Sequence, residues 1–322
     1  MLDQDGTGTF PQMNRGYNAT FRPGRLSLGL VAPIEAYKVG AVPTMVRHIE
    51  RVRLAERLGF AAVWLRDVPF NVPSFGDVGQ MYDPFVYLGA LAASTDRIAL
   101  GVASVILPLR HPAHVAKAAA TADVMSDGRL LLGVASGDRP EEYPAMNMSF
   151  QDRGERFRDS MAYMRAAAGD YPRHEGVHGR LDGSMDMLPK PIAGHIPLLI
   201  TGGSRQSPDW IAAHGDGWIT YPRDTPAQGR VIADYRARVA EAGESDKPVM
   251  QSLYVDLVDH ADAAPRPIHL GFQSGTNFLL QYLQEIEALG VNHVALNLRF
   301  NRADIETTLH LIAEDLLPHF AS

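Results

Sequence analysis

Two short stretches hold the residues best suited to chemistry. In Thr201-Gly202-Gly203-Ser204-Arg205-Gln206-Ser207, adjacent glycines allow a ligand close to the backbone, and Ser204, Arg205 and Ser207 add donors. That set suits an anionic group such as a phosphate, although a plain Gly-Gly-Ser turn has the same composition. The second stretch, GRLLLGVASGDRPEEY from Gly128 to Tyr143, passes from a turn through an apolar run into a small corner, Ser136 and Gly137. Asp138, Arg139, Glu141 and Glu142 follow at once, broken only by Pro140. Such an ending is either a strand entering a solvated loop or a strand whose C-terminal end presents a ligand site.

Other constellations carry less. His111 and His114 stand three apart, but no carboxylate or third ligand follows a zinc pattern, so no metal site is expected. His174 and His178, with Glu175 and Asp182 nearby, read as solvated loop residues, and Asp96-Arg97 and Glu141-Glu142 as surface charges. The chain has no cysteine, which excludes disulfides, thiolate nucleophiles and cysteine-ligated metal centres. It also lacks a Gly-x-Ser-x-Gly nucleophile elbow. Polar donors among apolar walls, without metal or nucleophile, suit a site in which a cofactor carries the chemistry.

The elements that position these residues follow from periodicity. Eight apolar runs, LSLGLVAPI, AAVWLRDV, IALGVASVI, LLLGVAS, PLLITGG, GWITYP, PVMQSLYVDLVD and NHVALNLRF, alternate with eight amphipathic helical stretches. The first helix is expected from about Met45 to Gly59. Strict alternation requires a parallel sheet with helical crossovers, and eight units in about 300 residues close most naturally into a (β/α)8 TIM barrel. An open doubly wound sheet is the alternative, but no strand leads into a Gly-x-Gly-x-x-Gly fingerprint. An irregular insertion, Gly169 to His195, precedes the fifth strand. We divide the chain into an N-terminal extension, 1–25, draped on the surface or on a partner, and a barrel domain, 26–322.

Barrel enzymes work at the C-terminal ends of their strands. The residues gathered there are Arg66, Asp67 and Phe70; Ser104; Ser136, Gly137, Asp138 and Arg139; Thr201, Gly202, Gly203, Ser204 and Arg205; Tyr221; and Asn297, Arg299 and Asn301. Within IALGVASVI, Gly101, Ala103 and Ser104 are small where a buried strand favours Val and Ile, leaving room for a flat ring.

Composition narrows the class. The 322 residues are 46% hydrophobic and 21% charged, with a net charge of −7. That balance gives no footprint for nucleic acid or a membrane surface. No apolar run reaches the length of a membrane span, and the first residues lack the apolar core of a signal peptide. A cytoplasmic location is expected.

From about Leu26 to the end the chain resembles the luciferase-like monooxygenases, flavin- or deazaflavin-dependent (β/α)8 oxidoreductases. LAERLGFAAVWLRD, LGVASVILPLRHPAHVAKAAATADVMSDGRLLLGVASGD, LPKPIAGHIPLLITGGS and GVNHVALNLR carry the resemblance. It implies a bulged third strand with a non-prolyl cis peptide between Ala103 and Ser104, beneath the flavin ring. It also implies cofactor contacts from Ala103, Ser104, Ser136, Gly137, Asp138, Arg139, Thr201, Gly202, Gly203 and Ser204, with the phosphate between the fourth and fifth strand ends. Arg66, Asp67, Tyr143 and Arg299 are the catalytic or substrate-binding candidates around the open ring face. Val68 and Ala135 stand where the light-emitting relatives have a histidine and a reactive cysteine, so bioluminescence is not expected.

The resemblance implies an FMN-dependent oxidoreductase: reduced FMN, delivered by a separate flavin reductase, is used with oxygen to oxygenate a small organic substrate. Two alternatives stand beside it, hydride transfer by a 5-deazaflavin coenzyme and a noncatalytic flavin-binding barrel. A homo-oligomer is expected.

Overall fold

The computed structural model describes residues 9–320. In chain order the elements are α1 (Arg15–Thr20), β1 (Ser27–Val31), α2 (His48–Leu58), β2 (Ala62–Leu65), α3 (Pro84–Ala92), β3 (Ala99–Ile106), α4 (Pro112–Met125), β4 (Leu130–Ala135), α5 (Glu142–Ala145) and α6 (Arg153–Ala168). They continue with β5 (Arg173–Gly176), β6 (Gly179–Asp182), β7 (Leu198–Thr201), α7 (Pro208–His214), β8 (Gly217–Thr220), α8 (Thr225–Glu241), β9 (Val249–Leu257), β10 (Arg266–Ile268), β11 (Gly271–Ser274), α9 (Thr276–Ala288), β12 (His293–Asn297) and α10 (Ile305–Asp315). Strands β1, β2, β3, β4, β7, β8, β9 and β12 pair in parallel, and β12 returns to β1. This is the expected closed barrel, whose strands are near-continuous apolar runs because both their faces are buried.

Local signals set the helix starts. Asp83 accepts hydrogen bonds from the N–H groups of Phe85 and Val86, Asp224 from Ala227 and Asp304 from Thr307. Helix α2 begins later than its periodicity suggests, at His48. Met45 and Arg47 have left-handed backbones, and the Glu35 carboxylate takes the N–H groups of Thr44 and Met45 at 2.8 and 3.0 Å. Those donors are thereby fixed in a turn ahead of the helix.

Two hairpins decorate the barrel. β5 and β6 pair antiparallel within the insertion before the fifth barrel strand. β10 and β11 form a second hairpin in a stretch to which the periodicity assigns no element, between the seventh strand and its helix. β9 runs past its pairing with β8, which ends at Gln251, and β11 pairs with the continuation of that edge, Tyr254 to Leu257, in parallel register. Among the described residues no helix is long and apolar enough to cross a membrane.

The segment before β1 is not draped on the surface. Phe10, Tyr17 and Phe21 pack with Ala62, Trp64, Leu131, Leu199, Met250 and Ala295 to close the floor of the barrel. Asn14 caps α1 at Tyr17 and donates to the carbonyl of Leu130 at 2.7 Å and to Asp123 at 3.0 Å. Gly16 is required there because a Cβ would lie 2.5 Å from the Arg129 carbonyl oxygen. Gly101, expected to leave room for a ligand ring, instead makes room for the Trp64 indole, which a Cβ would approach to 2.2 Å.

The indole N–H of Trp64 donates to Nε2 of His293 at 2.9 Å, and Nδ1 of His293 lies 2.6 Å from the Ser27 hydroxyl. Burial pushes the imidazole down from 6.5 to about 3, so it stays neutral and accepts the indole proton. The imidazole of the unfolded chain is protonated more readily than that of the folded one. Stability is therefore complete above about pH 6.5 and falls as pH drops toward 3, with a limiting slope of about 1.4 kcal/mol per pH unit. Urea unfolding of the His293→Gln variant between pH 7 and pH 4 should show a correspondingly flatter profile than the parent.

Candidate active site

The mouth of the barrel has two unlike halves. One half, at the ends of β3, β4, β7 and β8, is partly open: Ala103, Ser104, Ala135, Thr201 and Gly202 are half-buried, and Gly203 and Tyr221 are exposed. The Ala103–Ser104 peptide is cis, and the register between β3 and β4 shifts between Val102 and Val105, so both the expected cis bond and the bulge are present. The hydroxyls of Ser104 and Thr201 are in hydrogen-bond contact. A Cβ on Gly203 would meet nothing within 4 Å. This floor is small, polar at one point and uncrowded.

Beside it stands a basic corner. Ser204 donates to the carbonyl of Thr201 at 2.7 Å, and Gln206 to that of Gly154 at 2.8 Å, which seats the corner against the first turn of α6. Arg153, the first residue of α6, lies over the Phe150 ring at 3.5 Å. Its pKa is lowered by burial and then by the like charge of Arg205. Neither arginine has a carboxylate partner among the described residues, and Nε of Arg153 is buried without an acceptor. Two neighbouring guanidinium groups at a helix N-terminus, without an acid between them, suit a phosphate.

The other half of the mouth is closed by residues 71–80, and Asp77 is its centre. Its carboxylate accepts from the Tyr37 hydroxyl at 2.9 Å, Arg66 Nη1 at 2.8 Å and the Gly79 N–H at 2.9 Å. Arg299 Nη1 lies 3.1 Å away, and the Tyr254 hydroxyl 3.5 Å. Burial alone would push this carboxyl up, but Arg66, the Gly79 N–H and Arg299 together hold it below the ordinary aspartate value. Arg299 also donates to the carbonyls of Gly40 and Gly76, at 3.0 and 2.6 Å. The loops after β1 and β2 are thus tied to the ends of β9 and β12.

A model of the luciferase-like monooxygenase family matches residues 20–316. The chain belongs to that family. An uncharacterised protein of Mycobacterium tuberculosis (strain ATCC 25618 / H37Rv) is 34% identical over 189 residues, 53% of this chain and 66% of that protein; a Mycobacterium bovis protein matches equally. The chain therefore spans a little under two thirds of the length of these relatives. Among solved structures, the monooxygenase RslO1 from Streptomyces bottropensis shares the fold at TM-score 0.71 and 21% identity, over 92% of this chain and 100% of that one. An F420-dependent secondary alcohol dehydrogenase does so at 0.75 and 18%, over 92% and 100%. The oxygenating constituent of 3,6-diketocamphane monooxygenase from Pseudomonas putida does so at 0.73 and 15%, over 92% and 99%.

Set against what the luciferase-like family resemblance implies, the residues divide. Ala103, Ser104, Thr201, Gly202, Gly203 and Ser204 come together on the open half. Ser136 is buried, and its carbonyl accepts the Tyr143 hydroxyl. Tyr143 is 0% exposed, so it supports the corner from below and does not face the mouth. Gly137 permits that support, since a Cβ would press on Ile106 at 2.8 Å and on the Tyr143 hydroxyl at 3.0 Å. Asp138 is exposed. Arg139, expected near the phosphate, turns the other way: it stacks on Phe75 at 4.5 Å and donates to the Asp77 carbonyl at 3.3 Å.

Arg66 and Asp67 do not pair with each other. Asp67 is buried against Arg110 of the Arg-His-Pro element, with contacts of 2.7 and 2.9 Å, and accepts the Ile106 N–H at 3.2 Å. Arg299 is buried in the Asp77 cluster. His174 and His178 are not solvated loop residues, because both bind Asp159 of α6, at 2.9 and 2.7 Å, and pin the first hairpin to that helix. Among the described residues no group of three or more metal-ligating side chains is placed to hold an ion.

Asp77, Tyr37, Tyr254 and Arg153 were missed. Asp77 lies in Gly76-Asp77-Val78-Gly79, which reads as an ordinary turn, and its partners come from four other segments. Replacing Asp77 by Ala leaves Arg66 and Arg299 uncompensated and should cost about 3–5 kcal/mol in urea unfolding at pH 7. Asp127→Ala, which breaks an exposed pair with Arg15, should cost about 1 kcal/mol or less in the same assay.

Proposed function

We propose that the protein is a monooxygenase that binds FMN on the open half of the mouth and uses its reduced form with oxygen to oxygenate a small organic substrate. The observation that carries this reading is the adjacency of the small Ala103–Ser104 and Thr201–Gly203 floor to the acid-free pair Arg153 and Arg205. A flat ring and a phosphate need that pairing of surfaces. When bound, reduced FMN supplies the two electrons by which oxygen is activated. Ser104 and Thr201 present hydroxyls to the polar edge of the ring, and Ala103 and Ala135 line its floor. Ser204, Arg205 and Arg153 hold the phosphate, and the closed half limits the entry of water.

FMN is preferred to a deazaflavin coenzyme because the basic set is compact. Further along α6, the charge of Arg156 falls on His178 and Arg158 is already directed to Gln206 at 3.3 Å, whereas a longer polyanionic tail calls for further free cations. A separate flavin reductase is the proposed source of reduced FMN.

Titration of the purified protein with FMN tests this. Arg205→Gln and Arg153→Gln should each raise the dissociation constant about 10- to 100-fold, as expected for losing a charge-assisted hydrogen bond. Gly203→Leu, which fills the open space, should do likewise. Oxygen uptake that requires reduced FMN and a substrate is the expected activity. Absorbance of a bound deazaflavin, or failure of the folded parent to bind FMN, overturns the reading.

A further inference from the structure

The closed half of the mouth carries more positive charge than its own acids neutralise. Asp77 is one carboxylate between two guanidinium groups, those of Arg66 and Arg299. A third, Arg139, is 6% exposed, and its Nη1 is buried without a hydrogen-bond partner. The nearest acid atom to it, Glu142 Oε1, is 3.9 Å away and is also buried without a partner. Burial pushes the Glu142 carboxyl up to about 7, so near neutrality it neutralises Arg139 only in part. Asp67, the other buried acid nearby, is already committed to Arg110.

The position of this excess charge is informative. Arg66 follows β2 and Arg139 follows β4, so they flank the end of β3, where Ala103 and Ser104 form the open floor. The two are close enough that Arg66, after burial, is the main influence disfavouring the charged form of Arg139. The side chain of Arg66 is 25% exposed. Its Nη1 is held by Asp77, and its Nε and Nη2 donate to no acceptor among the described residues. Charge from Arg66 also reaches Tyr221 on the open half. Two arginines with unused donors, one buried and one at the border of the cleft, form an incomplete anion site.

We infer that the substrate carries a carboxylate and that Arg66 and Arg139 bind it, orienting the rest of the molecule over the Ala103–Ser104 floor. A planar carboxylate matches the guanidinium fork, and it completes the unused donors of both arginines. Glu142 fills the gap loosely in its absence and is displaced electrostatically when the carboxylate enters. The inference rests on the proposed function for what lies on the floor, but the anion site itself does not require the cofactor.

The test is calorimetric titration of the FMN-saturated protein, whose phosphate corner is then filled, with acetate, octanoate and benzoate and with their neutral amides. The same titration on the protein without FMN separates failure of this inference from failure of the cofactor reading. At least one carboxylate should bind about 10-fold or more tightly than its amide. Arg139→Gln and Arg66→Lys should each remove that preference while leaving the FMN dissociation constant unchanged; Glu142→Gln should retain or strengthen it. Arg139→Gln carries the test by itself if the Arg66 variant does not fold, because Arg139 donates only to the Asp77 carbonyl and leaves the carboxylate cluster intact. Equal binding of acid and amide, no saturable carboxylate binding by the parent, or unchanged preference in Arg139→Gln overturns the inference.

Discussion

Burying a guanidinium group away from water is costly unless an anion and hydrogen-bond acceptors replace its hydration. At the mouth of this barrel Asp77 serves that need for Arg66 and Arg299 together. The same carboxylate also takes the hydroxyl of Tyr37 and the N–H of Gly79. Because these partners come from the loops after β1 and β2 and from the end of β12, one residue fixes the relative height of three strand ends. The ionised carboxylate thus joins the contacts of Gly76, Phe75 and Gln80 in holding the segment 71–80 across the barrel.

The opposite end of the barrel is closed by packing. Phe10, Tyr17 and Phe21 fill the floor, and the Trp64–His293–Ser27 chain runs beside them with its imidazole neutral. The proposed chemistry lies at the mouth, where the open half holds the Ser104 and Thr201 hydroxyls and the arginines Arg153 and Arg205. Outside the barrel, Asp159 anchors the first hairpin through two histidines, so the insertion that breaks the α/β rhythm lies against α6.

The mouth holds its charges in two sets. Arg153 and Arg205 stand together by the Thr201–Ser204 corner, whereas Arg66, Arg139 and Arg299 gather around Asp77. A site with two basic sets on either side of a small, nearly neutral floor can hold one anionic group at each side and an apolar framework between them. That arrangement matches a phosphorylated cofactor facing a carboxylate-bearing substrate.

The amino-acid sequence by itself determined the barrel. Eight apolar runs, each followed by a helix, permit only parallel pairing, and closure satisfies the backbone of every strand; the small corners at Ser136–Gly137 and Thr201–Ser204 were legible because local composition limits what a turn can do. The cis bond at Ala103–Ser104 and the bulge followed from resemblance to a family. Only the tertiary structure decided which charges meet. Asp67 selects Arg110, 43 positions away, over its neighbour Arg66; Arg139 turns to Phe75 and away from the phosphate corner; Tyr143 goes beneath the strand end. The reason is physical. Helix and strand periodicities are local properties of the chain, whereas the partner of a long charged side chain is set by which strand ends the closed barrel brings together, and by which of them remain in water.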